Sequence, residues 1–260
     1  MIERVDAIWG DLEKIRQTGP LTGYISGYGV MNSIANMLLA LGAAPKAVLV
    51  DEDADETVAV CASLFLTCEM ARGAYMEEFE KIMTAAKQLH VPFVFDPAGV
   101  ETTSFSTDMS VRLLNWGSPT VIRCNAAQIL ALKALFIPDG DADPAGGVAE
   151  EAARAISGHF DCVVVVTGEK SYIVKGDSVS PVLNGSPLMW RNADTSVFAT
   201  AVCAAFCAVN PNPYQACINA SFFLGICAEM ATQNSDGPGT YAPQLLDAMA
   251  NMMKPDILLK

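Results

Sequence analysis

Short, continuously apolar runs alternate with longer stretches of helical spacing along most of this chain, and that alternation leaves few folds open. Val91-Pro92-Phe93-Val94-Phe95-Asp96-Pro97 reads as a buried strand that ends in Asp-Pro. Cys162 to Val166 is another such run, and it leads directly into Thr167-Gly168. Between them lie segments whose apolar residues recur every three or four positions, as Met76, Phe79, Met83 and Ala86 do across Gly73 to His90. A strand that is apolar at every position is covered on both faces. The repeated order of strand and helix therefore predicts an α/β fold, a mainly parallel sheet with helices on both faces.

The same reading places strands at Lys46 to Val50, Ser63 to Thr67 and Pro119 to Cys124, with an acidic turn, Asp51 to Glu56, after the first. It predicts helices over Ala126 to Leu135 and Val148 to Ser157, separated by a Gly/Asp loop at 139–147. Tyr172 to Val182 reads as an antiparallel hairpin at one side of the sheet. Helices over 195–209, 213–232 and 243–253 complete the chain. No linker, repeat or low-complexity segment interrupts the 260 residues, so a single domain over 1–260 is expected. With 52% apolar and only 17% charged residues, a large core is easily supplied.

A formal charge of −13 argues against a nucleic-acid partner or an anionic membrane surface, both of which need a basic footprint. Any nucleotide site must gather its own positive charge. The eight cysteines (61, 68, 124, 162, 203, 207, 217, 227) stand singly inside apolar runs, the pattern of buried reduced thiols. Met1 to Lys14 carries four acids and no apolar leader core, and no run reaches the ~18 apolar residues of a membrane span. A soluble cytoplasmic protein is expected.

In sheets of this kind ligands sit beyond the carboxyl ends of the strands. That rule selects Asp96-Pro97-Ala98-Gly99, Arg123-Cys124-Asn125, Thr167-Gly168-Glu169 and the turn Arg191-Asn192-Ala193-Asp194-Thr195-Ser196-Val197. The turn opens an Ala-rich helix at the place where a phosphate cradle would use glycines to expose backbone N–H groups. It holds a carboxylate and two hydroxyls instead. Asp194 reads equally as a helix N-cap with Thr195 and Ser196 in the first turn. Arg123 follows an apolar strand and needs either an acidic partner or a ligand, while Asp96 could simply end its strand. Cys203 and Cys207 lie four apart on a helix, but with only two histidines in the chain they read as core rather than as metal ligands. Asp139, Asp141, Asp143 and Glu150 echo a calcium loop, yet Pro144 stands where that loop requires glycine. His90 and His159 come with no Gly-x-Ser-x-Gly elbow, which disfavours a hydrolase triad.

Taken together and in order, several segments resemble the hydroxyethylthiazole kinases of thiamine salvage. They are Asn32 to Pro45, Val91-Pro92 with Asp96 to Gly99, Arg123 to Ala127, Val166 to Glu169, Ala205 to Val209 and Gly237 to Thr240. The resemblance implies a ribokinase-like three-layer sandwich, ATP and Mg²⁺ as cofactors, and a small alcohol as substrate. It also implies a homotrimer with active sites at subunit interfaces. It gives Asp96 a place near metal and phosphates, makes Arg123 the phosphate-contacting arginine, and sets Thr167 with Gly168 along the nucleotide. Three departures stand out. The family's metal-organising Glu is Gln128, a weaker partner for a hard dication. Its Gly-Ala-Gly-Cys is Asp194-Thr195-Ser196-Val197, so Val197 occupies the position of the family thiol. Its thiazole-facing positions fall on Gly27, Gly29 and Ala47. Two readings follow. One is an ATP-dependent kinase of 4-methyl-5-(2-hydroxyethyl)thiazole or a related alcohol, with a rebuilt anion turn and Asp194 as a possible base. The other is a relative that binds a small molecule or partner without phosphoryl transfer.

Overall fold

The computed structural model describes residues 2–48, 54–68, 76–117, 119–138, 148–192 and 194–258. The chain opens with helix α1 (Ile2–Thr18), strand β1 (Leu21–Ile25), α2 (Met31–Leu41), β2 (Ala44–Ala47) and a short α3 (Ala54–Ala59). Next come β3 (Ser63–Thr67), α4 (Met76–Gln88), β4 (Phe93–Asp96), α5 (Ser104–Trp116), β5 (Val121–Asn125), α6 (Ala126–Phe136) and α7 (Val148–Phe160). Strand β6 (Val163–Thr167) and the hairpin β7 (Ser171–Lys175) and β8 (Ser178–Val182) follow, then a 3-10 turn (Pro187–Arg191). Helices α8 (Asp194–Cys207), α9 (Pro213–Gln233), α10 (Pro238–Asn251) and α11 (Lys254–Leu258) end it.

The eight strands form one sheet in the order β2-β1-β3-β4-β5-β6-β7-β8. The pairings from β2 to β6 are parallel, and β7 and β8 join antiparallel at one edge. Side-chain alternation divides the core in two. Tyr24, Phe65, Val94, Val121 and Val165 face the layer of α1, α2, α8, α9 and α10. Ile25, Leu66, Phe95, Ile122 and Val164 face α4, α5, α6 and α7. This is the three-layer α/β sandwich that the sequence predicts.

Most expected elements lie within a residue or two of their predicted bounds, and three deserve comment. The strand expected at Lys46 to Val50 is β2, at Ala44–Ala47; Leu49 and Val50 lie outside the described residues, as do Asp51–Asp53 and the loop 139–147 with its acidic residues, and the rest of the expected acidic turn opens α3. Helix α4 buries Phe79, Met83 and Ala86, as their spacing requires. Strand β1 and the helices α1, α2 and α5 had no counterpart in the periodicity reading. The signal was present in two of the helices: α1 buries Val5, Ile8, Leu12 and Ile15 and α2 buries Ile34, Met37, Leu38 and Leu41, each at helical spacing. All eight cysteines are free and buried. The Cys217 thiol is within hydrogen-bonding reach of Cys203 and Cys207, and its pKa is raised well above the usual value by those thiols and by burial. These thiols are core groups, and the described residues contain no cluster of three or more metal-ligating side chains.

Candidate active site

Asp96, Arg123 and Thr167 each lie two positions beyond a residue of the same core, Val94, Val121 and Val165 respectively. Alternation therefore turns all three toward α8. The Phe95–Ile122 pairing brings Asp96 beside Arg123 across neighbouring strands. Arg123 donates from Nη1 to Asp96 Oδ2 at 3.2 Å and to Ser196 Oγ at 2.8 Å, and from Nη2 to Thr167 Oγ1 at 2.7 Å. Both side chains of the Asp96–Arg123 ion pair are only 4% exposed. Such a pair is costly to desolvate and much costlier to break, because either partner alone is a buried uncompensated charge.

Helix α8 closes the other side. Thr200 donates to Asp96 Oδ2 at 2.6 Å, so that oxygen takes two donors while Oδ1 has no hydrogen bond among the described residues. Thr200 lies one turn beyond Ser196, and the i, i+4 relation puts both hydroxyls on the helix face that covers the strand ends. The sequence reading missed Thr200, although this spacing was there to find it. At the helix start, Asn192 Oδ1 accepts the Asp194 N–H at 3.0 Å and Asn192 O accepts the Thr195 N–H at 3.3 Å. Asn192, two residues earlier, thus does the capping expected of Asp194.

A cavity of about 720 Å³ opens from this cluster toward the hairpin side of the sheet. Arg123, Thr167 and Ser196 line one part of it, and Glu169 and Asn125 stand nearby. Its remaining walls include Ala199 and Cys203 of α8 and Ala220, Leu224 and Gly225 of α9. Gly225 is required there: a Cβ would come within 2.7 Å of the Asn184 carbonyl oxygen, in the segment that forms the opposite wall. Glu229, one turn on, accepts the Asn184 Nδ2–H and the Gly185 N–H and anchors that segment. Leu183 and Trp190, 71% and 55% exposed, form an apolar rim.

The remaining predicted residues are placed elsewhere. Gly168 lines the cavity beside Thr167. Asp194 begins α8, partly buried, and is not part of the cavity wall. Val197 is buried in the core beneath the helix start. Gln128 completes a capping box, its Oε1 accepting the Asn125 N–H at 2.9 Å while Asn125 Oδ1 accepts the Gln128 N–H at 2.9 Å. Gly27, Gly29 and Ala47 lie at the β1/β2 side of the sheet, away from the cavity wall.

The sheet order and this site define a ribokinase-like small-molecule kinase fold. The fold matches that of Bacillus subtilis pyridoxal kinase in its ADP complex with a TM-score of 0.62 at 13% identity, over 81% of this chain and 91% of that one. The sequence model of the hydroxyethylthiazole kinase family matches residues 12–255, and the chain belongs to that family. Hydroxyethylthiazole kinase of Syntrophus aciditrophicus is 32% identical over 252 residues, which cover 96% of this chain and 93% of the relative. The structure of the hydroxyethylthiazole kinase protein from Pyrococcus horikoshii OT3 aligns with a TM-score of 0.90 at 28% identity, over 97% of this chain and 96% of that one.

Proposed function

We propose that this protein transfers the γ-phosphoryl group of ATP to the hydroxyl of 4-methyl-5-(2-hydroxyethyl)thiazole, as a kinase of thiamine salvage. The alcohol oxygen attacks the γ-phosphorus and releases its proton to solvent water, the bond to the bridging β,γ oxygen breaks, and ADP leaves with that oxygen. Such a reaction needs positioning and charge stabilisation more than covalent help.

The observation that carries this reading is the hydrogen-bond pattern around Arg123. Ser196 Oγ accepts from the guanidinium, which leaves its own O–H to donate into the cavity. A hydroxyl polarised by a buried arginine is a strong donor to a phosphate oxygen. Ser196 thereby replaces a backbone N–H of the glycine turn that this chain lacks. Among the described residues Arg123 keeps its Nε–H and one Nη2–H unengaged, and Thr167 holds the guanidinium plane. The apolar rim of Leu183 and Trp190 suits the aromatic base of the nucleotide.

Asp96 Oδ1 suits Mg²⁺, which commonly takes one or two carboxylates with phosphates and waters rather than an all-protein cage. A bound Mg²⁺ would neutralise charge on the β- and γ-phosphates. Gln128, committed to its cap, is left out of that shell. A homotrimer with sites at subunit interfaces, as the family resemblance implies, accords with Gly27, Gly29 and Ala47 lying outside the cavity and with Tyr28 being 75% exposed.

Calorimetric titration with ATP, with and without Mg²⁺, combined with an assay of ADP release on adding the thiazole alcohol, tests this reading. Mg²⁺-dependent binding and alcohol-dependent ADP release are expected. Binding without release would leave a ligand-binding relative, and no binding at millimolar ATP would refute the kinase assignment.

A further inference from the structure

Two buried hydroxyls on the far side of Asp96 have no partner among the described residues. Ser26 Oγ and Thr67 Oγ1 belong to residues only 3% and 4% exposed, and neither makes a hydrogen bond to a described residue. A buried hydroxyl without a partner is expensive, so each such group calls for an explanation. These two are neighbours in a row. Thr67 pairs with Asp96 across β3 and β4, and Ile25 pairs with Leu66, which sets Ser26 next to Thr67. Ser26 and Thr67 lie two positions beyond Tyr24 and Phe65, residues of the core that faces α8. Alternation gives both hydroxyls the same face as Asp96 and Arg123.

The carboxyl edge of the sheet thus carries the sequence Ser26, Thr67, Asp96, Arg123 across β1, β3, β4 and β5, one strand spacing of about 4.8 Å apart. The cavity assigned to the nucleotide lies wholly on the other side, toward β6, β7 and β8, and neither Ser26 nor Thr67 lines it. A transferred phosphoryl group must lie between its donor and its acceptor. The donor comes from the β6 side and Arg123 with Ser196 meets its phosphates, so the acceptor belongs on the β1/β3 side.

The geometry points to Ser26 and Thr67 as the residues that hold the polar end of the acceptor alcohol beside Asp96. A substrate hydroxyl both donates and accepts, and it would satisfy hydroxyls that the folded protein leaves unpaired. This rests on the kinase reading above and deepens it by naming the acceptor's contacts, which lie outside the family-matched positions Gly27, Gly29 and Ala47.

The test is calorimetric binding of 4-methyl-5-(2-hydroxyethyl)thiazole to wild type, Ser26→Ala, Thr67→Val and Thr67→Ser, with MgATP binding and thermal melting measured on each. Thr67→Val keeps the side-chain shape and removes the orphan hydroxyl, so the ligand-free protein should melt no lower than wild type. Thiazole affinity should fall about tenfold for Ser26→Ala and for Thr67→Val, the equivalent of one hydrogen bond, with MgATP affinity unchanged. Thr67→Ser should bind as wild type does. If wild type binds the thiazole and both variants bind it equally well, the acceptor assignment is wrong and the hydroxyls hold water, while the kinase reading stands. If wild type does not bind the thiazole with MgATP present, the kinase reading fails and takes this assignment with it.

Discussion

Two helices begin at the carboxyl edge of the sheet, each with an asparagine at its entrance, and they end up with opposite characters. At α6, Asn125 and Gln128 exchange hydrogen bonds, and the helix start is closed on itself. At α8, Asn192 also accepts first-turn N–H groups, but the third residue of the helix is Ser196, and its hydroxyl is drawn to Arg123 instead of back to the cap. A capping box satisfies its polar groups internally and leaves nothing to offer a ligand. A cap whose third residue looks outward toward a buried cation leaves a polarised donor facing the cavity. The same residue type therefore closes one helix for stability, at Asn125, and leaves the other open for chemistry, at Asn192.

The largest effect should come from the cation on which that difference depends. Arg123→Met leaves Asp96 buried without its partner, at a cost on the order of 3–5 kcal/mol. It should also weaken ATP binding about a hundredfold or more, through lost charge-assisted hydrogen bonds. Calorimetry and a denaturant melt would show both, and an unchanged ATP affinity would end the phosphate-clamp role. Ser196→Ala comes next: losing one phosphate donor should lower kcat by about 10²-fold, whereas Ser196→Gly, which restores a bare helix-start amide, should stay within about tenfold of wild type. Equal loss in both variants would mean that the hydroxyl is not standing in for a backbone amide.

The caps separate the two helices more finely. Asn192→Ala should cost about 1 kcal/mol of stability and also lower activity, because it loosens the turn that aims Ser196. Gln128→Ala should cost about 0.5–1 kcal/mol with kcat essentially unchanged. A large fall in kcat or a shifted Mg²⁺ requirement in that variant would return Gln128 to the metal shell. A further test is one of pH. Burial pushes the Cys162 thiol from about 9 up to about 12, and Cys217 and Cys227 are also raised. The fold favours the neutral thiols. Their contribution is complete below the unfolded-state value of about 9 and is lost as pH rises toward the folded-state value. Urea midpoints should therefore decline between neutral pH and about pH 10, and a flat profile would contradict the assigned burial.

The sequence by itself determined the α/β class, most of the strands and helices and the set of strand-end segments, because each is a consequence of local periodicity and of which residues can lie in an apolar strand. Asp96 and Arg123 were legible because a charge at the end of an apolar run must find a partner or a ligand, the turn at 191–197 because it lacks the glycines of a phosphate cradle, and Thr167 only through the family resemblance. Only the tertiary structure decided who that partner is. Arg123 joins residues 27, 44 and 73 positions away, and no local pattern encodes those pairings. Thr200 escaped notice because its acceptor, Asp96, lies 104 positions earlier. Ser26 and Thr67 stand out only in the folded chain, where they have no partner among the described residues, since an unsatisfied hydroxyl is a property of the surroundings and not of the residue. Gln128 shows the converse, a residue whose family-matched position pointed to a metal shell and whose amide oxygen is taken by the Asn125 N–H.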